Sequence, residues 1–255
     1  MDLEIRDKVV LISGGTDGLG LALAQGLQRE GARVAVCGRN VERLAQAREF
    51  LGPDALVQQA DVTVADGCDA FVDATLARFG RLDGVVNNAG RAASSLVATS
   101  TDDEWRDDYE LKVLSALRLS RRSLDALAET GGSIVNVLAI MARAPHAGSM
   151  PTGASRAAGL ALTKALASEV GSRGIRVNAV LIGLIASGQW VRRANDAGLD
   201  MDEYYATHPQ VSSIALGRFG RSEEFSDVVT FLLSPRASYL TGVGLAIDGG
   251  LSPVI

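Results

Sequence analysis

Seven short runs of β-branched and aliphatic residues alternate with longer Ala- and Leu-rich stretches, and this alternation restricts the fold most. Runs of this length between amphipathic helical patterns are typical of consecutive βαβ units with a parallel sheet. Because the runs are continuously apolar, both faces of the sheet should be covered by helices. The predicted strands are residues 9–12, 33–37, 55–58, 84–87, 133–138, 176–180 and 245–247.

The length and the apolar content indicate how many domains to expect. A chain of 255 residues with 47% hydrophobic residues can bury one large core, and single α/β domains reach this size. We expect one domain over residues 1–255. The stretch at about 187–216 shows no clear strand, and a long segment of this kind is typical of an active-site lid. A lid is therefore predicted there.

Charge and composition exclude several classes of partner. The 30 acidic and 25 basic residues give a net charge of -5, which argues against nucleic acid and anionic membrane surfaces. No apolar run reaches the roughly 18–20 residues of a membrane-spanning helix. The acidic start of the chain lacks the basic region of a signal peptide, so a cytoplasmic protein is expected. Two cysteines and two histidines form no ligand cluster, and no metal is expected.

The strongest chemical signal is Ser13-Gly14-Gly15-Thr16-Asp17-Gly18-Leu19-Gly20, between the first predicted strand and an apolar-periodic helix. Glycine is needed where the backbone turns tightly, where it approaches a pyrophosphate, and where helix meets strand. The helix N-terminus then attracts the phosphate charge. This context predicts a dinucleotide-binding turn, and the alternative is a glycine-rich turn without a ligand.

Further motifs follow in a characteristic order. They are Asn87-Asn88-Ala89-Gly90 after the fourth predicted strand, Arg176-Val177-Asn178-Ala179-Val180 in the sixth, and Asp248-Gly249-Gly250 near the end. Together with the glycine turn they resemble the short-chain dehydrogenase/reductase family over nearly the whole chain. The resemblance implies an α/β fold of the Rossmann type, with a doubly wound parallel seven-stranded sheet, helices on both faces, and a nicotinamide cofactor.

The resemblance also implies which residues contact that cofactor. Near the nicotinamide the family has a Pro-Gly pair, whereas here Ile182 precedes Gly183, and the Ser187 hydroxyl would replace the usual threonine. The implied cofactor-binding residues are Gly14, Thr16, Asp17, Gly18, Leu19, Gly20, Arg39, Asp61, Val62, Asn88, Ala89, Gly90, Arg156, Gly183, Ile185 and Ser187.

The end of the second strand distinguishes the two nicotinamide cofactors. An acidic side chain there binds a free ribose 2′-hydroxyl and repels a 2′-phosphate. This chain has Cys37-Gly38-Arg39-Asn40, without an acid, and Arg39 offers a permanently charged fork that suits a phosphate. Asp17 opposes a phosphate, and the alternative for Arg39 is an ion pair with a surface acid. The balance favours NADP, with NAD as the alternative.

The chain departs from the family at the proton relay. The family pattern has a serine after the fifth strand, a tyrosine and a lysine on the next helix, and an upstream asparagine, where this chain has Ala139, Thr152, Arg156 and Lys112. The Thr152 hydroxyl is short and a far weaker acid than a phenol with a pKa of about 10. Arg156 can hold ribose hydroxyls but stays protonated, and Ala139 offers no donor. The family's usual carbonyl reduction is therefore not expected.

Lys112 is the one substitution that adds a titratable group. It shares a helical stripe with Ala116 that is predicted to face inward. Burial and the charge of Arg156 would lower its pKa toward the range of acid catalysis, which makes it a candidate proton donor. The alternatives are that Lys112 extends to solvent or pairs with Asp108 or Glu110. Other candidate donors are Tyr204, Tyr205 and His208 in the predicted lid, and His146 after the fifth strand.

Two classes of function remain open. In the first, the chain is an NADP-dependent oxidoreductase with a relocated proton donor, acting on a small, mostly apolar carbonyl or alcohol. In the second, it is a pseudoenzyme that binds a dinucleotide as a sensor or structural subunit. The retained nucleotide motifs and the predicted lid favour the first. The family resemblance further implies a homodimer or homotetramer.

Overall fold

A central sheet of seven parallel strands organises the chain. The computed structural model describes the backbone of residues 1–255, and the side chains of all except residues 189, 191, 192 and 202. The strands are β1 Val9–Ser13, β2 Arg33–Gly38, β3 Leu56–Gln59, β4 Gly84–Asn87, β5 Ser94–Ser95, β6 Ser133–Ala139, β7 Met150–Pro151, β8 Arg176–Ile182 and β9 Gly244–Ile247. The large sheet has the order β3-β2-β1-β4-β6-β8-β9. The predicted seven-stranded parallel sheet is confirmed.

Helices connect the strands and cover both faces of this sheet. In the described backbone they are α1 Gly18–Arg29, α2 Val41–Leu51, α3 Ala65–Phe79, α4 Asp102–Tyr109, α5 Ser115–Thr130, α6 Thr152–Val170, α7 Gly188–Ala197, α8 Met201–Thr207 and α9 Ser222–Leu233. A π-helical turn, Glu110–Leu114, joins α4 to α5 without a break. Turns of this kind occur frequently at functional sites.

The core consists of two apolar layers because successive strand side chains point to opposite faces. Val10 and Ile12 of β1 pack in the layer that includes Phe225 of α9, along with residues of α1 and α2. Val9 and Leu11 pack in the other layer, with side chains of α3, α5 and α6. Phe225 is 0% exposed, and burying a side chain of this size contributes about 1.5–3 kcal/mol. The continuous apolar runs of the inner strands follow from this double coverage.

The short ribbon of β5 and β7 was not predicted from the sequence. Its two strands pair antiparallel, with Ser94 opposite Pro151 and Ser95 opposite Met150. Each strand has two residues, too few for a periodic pattern. The ribbon holds the segment after β4 against the start of α6.

The start of α4 is set by a capping box. Thr101 Oγ1 accepts a hydrogen bond from Glu104 N at 3.2 Å, and Glu104 Oε2 accepts one from Thr101 N at 2.7 Å. A capping residue of this kind contributes about 1 kcal/mol to helix stability. This cap sets the position of the helix that carries Asp108.

The predicted lid segment, residues 187–216, contains α7 and α8 rather than an unstructured loop. Its strand-free character was predicted correctly, since no strand falls in this part of the described backbone. Among the described residues, none of the helices combines the length and apolar character needed to cross a membrane.

Candidate functional site

A cleft of about 1080 Å³ lies at the carboxyl ends of the parallel strands. Its volume is at the upper end of the range for cofactor and small-molecule sites. The strand order reverses between β1 and β4, and ligands of open α/β sheets bind outside the strand ends at this switch point. Gly38, Asn88, Ala139 and Gly183, which end or follow four of the strands, all line the cleft.

The glycine turn packs directly against the loop after β4. Gly14 has φ +65°, and a Cβ there would lie 2.9 Å from Ala89 Cα. A Cβ at Gly20 would lie 2.5 Å from Asn88 Nδ2. Asn88 Nδ2 in turn donates to the carbonyls of Ser13 at 2.9 Å and Gly14 at 3.0 Å. The two sequence motifs therefore form one backbone cradle, which larger side chains would fill.

Asp17 begins helix α1 at the rim of this cradle. Its Oδ1 accepts a hydrogen bond from Gly18 N at 2.7 Å, and its Oδ2 lies 3.3 Å from Arg43 Nη1. Asp17 is therefore a helix cap and an ion-pair partner. Its charge is balanced locally, so it opposes a nearby phosphate less than the sequence suggests.

Two arginines lie at the end of the cleft beside β2. Arg39 Nη1 lies 3.4 Å from Asp61 Oδ2, so the ion pair weighed as an alternative for Arg39 is present. Arg43 also lines the cleft, and sequence reasoning missed it. Arg43 lies in the first turn of helix α2, where Asn40 Oδ1 caps the helix by accepting from Arg43 N at 2.8 Å. This position, directly after the strand that ends at the cleft, is the signal that could have identified Arg43. The side chains of Arg39 and Arg43 are 61% and 43% exposed.

Asp61 remains ionised beside Arg39. Desolvation alone would raise the pKa of Asp61, but hydrogen bonds from Thr63 and the charge of Arg39 lower it overall. A phosphate bound here would compete with this carboxylate for Arg39.

The structure brings all but one of the predicted cofactor residues to the cleft. Ile185 is the exception, because its side chain does not line the cleft. It is 3% exposed and packs in the core, while the backbone on either side of it bonds to Gly220. Leu184 lines the cleft instead. The predicted cofactor residues that line the cleft are Gly14, Thr16, Asp17, Gly18, Leu19, Gly20, Arg39, Asp61, Val62, Asn88, Ala89, Gly90, Arg156, Gly183 and Ser187.

A buried polar cluster lies behind the opposite end of the cleft. Lys112 Nζ donates to Asp108 Oδ1 in a very short contact and to Thr152 Oγ1 at 2.8 Å. The second carboxylate oxygen of Asp108 accepts from Ser155 Oγ at 2.5 Å. The side chains of Lys112 and Asp108 are 0% and 1% exposed. Of the alternatives raised for Lys112, the structure shows pairing with Asp108.

Lys112 does not itself line the cleft, but it is hydrogen-bonded to Thr152, which does. Thr152 and Arg156 line the cleft, whereas Lys112 lies behind them. The reason is geometric, because the π-helical turn and α6 pack together and enclose the ammonium. Thr152 is also fastened to the segment after β4: its hydroxyl donates to Ala93 O at 3.0 Å and accepts from Ala93 N at 3.1 Å.

The pKa values of Lys112 and Arg156, the two cations of this cluster, are both lowered. Desolvation, and next the charge of Arg156, lower the pKa of Lys112 to about 8, although Asp108 opposes the shift. Desolvation also lowers the pKa of Arg156 to about 10, which leaves it protonated at neutral pH. Arg156 Nη1 donates to Val137 O in a short contact. Two cations therefore share one carboxylate, and the cluster favours an anion in front of it.

The walls near this end of the cleft are apolar, with cationic side chains at their margin. Ala139 ends β6 without a hydroxyl, as the sequence indicates. Apolar lining comes from Ile140, Met141, Ala144, Leu184 and Leu251. Cationic or titratable lining comes from Arg91, His146 and Arg193.

Three of the remaining candidate donors lie in an aromatic cluster away from the cleft. Tyr204 and His208 pack against Trp190 with ring centroids 6.4 and 5.4 Å away, and Tyr205 packs against Phe219 at 4.5 Å. Desolvation and the charge of Arg193 lower the pKa of His208. Trp190 lines the cleft, whereas Tyr204, Tyr205 and His208 do not. Their positions fit packing rather than proton transfer.

Sequence reasoning did not assign Asp108 or Ser155 to the site. Asp108 was considered only as one of two pairing partners for Lys112. The available signal was its spacing of four residues from Lys112, which places both side chains on one face of a helix. Ser155 carried no signal, since its contact with Asp108 joins positions 47 residues apart.

Comparison with known proteins gives consistent matches over the length of the chain. A family model described as enoyl-(acyl carrier protein) reductase matches residues 14–252. The 3-oxoacyl-[acyl-carrier-protein] reductase FabG of Vibrio cholerae is 32% identical over 250 residues, which cover 98% of this chain and 99% of the relative.

Solved structures match equally well. The L-sorbose reductase of Gluconobacter frateurii, complexed with NADPH and L-sorbose, has a TM-score of 0.92 and 32% identity, with 100% of both chains covered. A short chain oxidoreductase from Pseudomonas aeruginosa PAO1 containing an atypical catalytic center has a TM-score of 0.91 and 35% identity, with 97% of this chain and 98% of that chain covered. That protein has also been solved with NADPH bound, with a TM-score of 0.90.

Proposed function

This chain belongs to the short-chain dehydrogenase/reductase family, and from that premise we propose that it is an NADP-dependent oxidoreductase with a non-standard proton donor. Its substrate is a small, mostly apolar carbonyl or alcohol. The observation that carries the proposal is the Thr152 hydroxyl, which lines the cleft and receives a hydrogen bond from buried Lys112 at 2.8 Å.

The cleft fits a nicotinamide dinucleotide. The cradle of Gly14, Gly18 and Gly20 would hold the pyrophosphate at the N-terminus of α1, where backbone N–H groups favour an anion. Arg39 and Arg43 would hold a 2′-phosphate, which supports NADP over NAD. Two structural relatives were solved with NADPH, which adds support.

Arg156 would hold the nicotinamide ribose. Its guanidinium lies against the segment after β4, since a Cβ on Gly90 would come within 2.8 Å of Arg156 Nη2. When bound, the cofactor supplies or accepts a hydride at the substrate carbon. The charge of Arg156 stabilises the negative oxygen that develops as the carbonyl electron pair moves onto it.

Thr152 and Lys112 then supply the proton. In reduction, the Thr152 hydroxyl turns from Ala93 O to the substrate oxygen and donates its proton there. Lys112 returns a proton to Thr152 Oγ1 across their 2.8 Å hydrogen bond. A lysine whose pKa lies at about 8 is suited to this role near neutral pH. Asp108 orients the ammonium.

The remaining expectations stand as parts of this proposal. Residues 187–216 would act as a lid, with Trp190 and Arg193 facing the cleft. A single domain, a cytoplasmic location and assembly as a homodimer or homotetramer remain predictions.

A second candidate function is a dinucleotide-binding pseudoenzyme that serves as a sensor or structural subunit. The hydrogen bonds between Thr152 and Ala93 favour it, because they occupy the hydroxyl with backbone partners. In this function Thr152 only fastens the segment after β4 to α6.

Comparing Thr152→Val with Thr152→Ser distinguishes these functions. Valine keeps the shape and removes the hydroxyl, whereas serine keeps a hydroxyl. We expect NADPH fluorescence to show binding by both variants, and turnover on a panel of carbonyls to fall about 100-fold or more in Thr152→Val only. Binding of NADPH by the wild-type protein without oxidation across the panel would support the pseudoenzyme. Full turnover by Thr152→Val would exclude Thr152 as the donor.

A further inference from the structure

A small cavity lies beneath the Lys112–Thr152 pair, between the sheet and helices α5 and α6. It adjoins the cleft, since Ala89, Val137 and Arg156 line both, and its volume of about 10 Å³ is close to the minimum for one water molecule. Asn87, Lys112 and Arg156 line it. Ser115 and Asn136 also line it, and a cavity with such polar lining favours an occupant that both donates and accepts hydrogen bonds.

Two of the lining side chains carry polar atoms that no protein group satisfies. Asn87 Oδ1 is an acceptor and Arg156 Nε is a donor, and both are buried without a partner among the described residues. The Asn87 amide is oriented by its nitrogen, which donates to Asn136 Oδ1 at 2.8 Å and Ser120 Oγ at 3.1 Å. Rotating the amide would place its oxygen against Asn136 Oδ1, which can only accept, so the nitrogen faces Asn136 and the oxygen is left for another partner.

Lys112 also has one N–H donor without a protein partner. An ammonium carries three donors, and the protein partners of Lys112 are Asp108 and Thr152. Two donors, on Lys112 and Arg156, and one acceptor, on Asn87, thus line one cavity. Water has the matching set, with two lone pairs and two hydrogens.

We propose that this cavity holds one resident water molecule, which accepts from Lys112 Nζ and Arg156 Nε and donates to Asn87 Oδ1. Asn87 is then a positioning residue that acts on the Lys112 ammonium through this water. The water also links the cluster behind the cleft to the buried polar side chains of β4 and β6. Its effect on catalysis rests on the proposed function, whereas its presence and its effect on Lys112 do not.

Displacing the water should destabilise the charged form of Lys112. Ala116 lines the cavity, so Ala116→Val would place methyl groups where the water lies. Losing one charge-assisted hydrogen bond should lower the Lys112 pKa by about one unit. Ala128→Val is the matched control, because Ala128 lies on the same helix and does not line the cavity.

The test is an NMR titration of the lysine side chains. The chain has three lysines, Lys8, Lys112 and Lys164, so ¹³Cε labelling yields three signals. We expect the Lys112 midpoint to fall in Ala116→Val and to stay in place in Ala128→Val. An unchanged Lys112 midpoint in Ala116→Val would overturn the assignment of Asn87 as a positioning residue.

A crystal structure of the wild-type protein at high resolution provides a test that needs no variant. Density for a water within hydrogen-bond distance of Asn87 Oδ1, Lys112 Nζ and Arg156 Nε supports the proposal. A dry cavity, or a halide in it after a bromide soak, overturns the proposal. If the water is present and the protein shows no turnover, only the proposed function is excluded.

Discussion

Replacing Asp108 by asparagine should destabilise the protein strongly, and by an amount that depends on pH. The side chain is 1% exposed, and its two oxygens contact Lys112 and Ser155. Asparagine keeps the shape but removes the charge, which leaves the Lys112 ammonium buried next to Arg156. Removing one partner of a buried ion pair costs about 3–5 kcal/mol.

The pH dependence follows from the Lys112 pKa. Its folded-state value, about 8, lies below the ordinary 10.5, so the unfolded chain binds more protons between these values. The contribution of this group to stability therefore falls as the pH drops from 10.5 to 8 and is constant below. Asp108 raises the Lys112 pKa, so without Asp108 that pKa is lower still. The contribution of Lys112 to stability then keeps falling as the pH drops below 8. The loss of unfolding free energy in Asp108→Asn should thus approach the upper end of the range of about 3–5 kcal/mol at pH 6. It should be smaller at pH 9, where Lys112 is mostly neutral.

Urea unfolding followed by far-UV circular dichroism at pH 6 and pH 9 measures this difference. Asp103→Asn is the matched control, because Asp103 lies on the same helix with its side chain 88% exposed beside Arg106. An exposed pair of this kind contributes about 0–1 kcal/mol. An equal cost of Asp108→Asn at both pH values, or a cost no larger than that of Asp103→Asn, would refute the buried charge network.

Two further predictions concern the cleft. Arg39→Ala and Arg43→Ala should each weaken NADPH binding about tenfold and leave NADH binding nearly unchanged, since each removes a charge-assisted contact to the 2′-phosphate. Fluorescence titration measures the affinity for each cofactor. Equal losses of affinity for NADPH and NADH would contradict the assignment of these arginines to the 2′-phosphate. The rate of carbonyl reduction should fall as the pH rises through about 8, because Lys112 loses its proton there. This fall should move to lower pH in Asp108→Asn, and a kcat–pH profile that is the same in both proteins would separate Lys112 from the chemistry.

The sheet and the glycine cradle were predictable because their signals are local. Each inner strand is a continuous apolar run covered by helices on both faces, and such runs are visible without knowing their neighbours. The glycines of residues 14–20 are required by the turn in which they lie, so the segment indicates its own conformation. The bounds of the seven predicted strands differ from those observed by two residues or fewer.

The buried polar cluster of Lys112, Asp108, Thr152 and Ser155 was only partly predictable because its contacts are long-range. Ser155 reaches Asp108 across 47 positions, and Thr152 reaches Lys112 across 40. The β5–β7 ribbon that presents Thr152 has two residues in each strand, too few for a sequence pattern. The inward stripe containing Lys112 predicted that its ammonium would be buried, but not that Thr152 would separate it from the cleft.

From the sequence by itself follow the order of strands and helices and the dinucleotide turn. Local patterning and residue chemistry suffice for these. Only the tertiary structure decided that Lys112 pairs with Asp108 behind Thr152, that Arg43 joins Arg39 at the cleft, and that Ile185 faces the core. Each of these depends on how distant segments pack, because burial, side-chain direction and shared charge arise when helices meet the sheet.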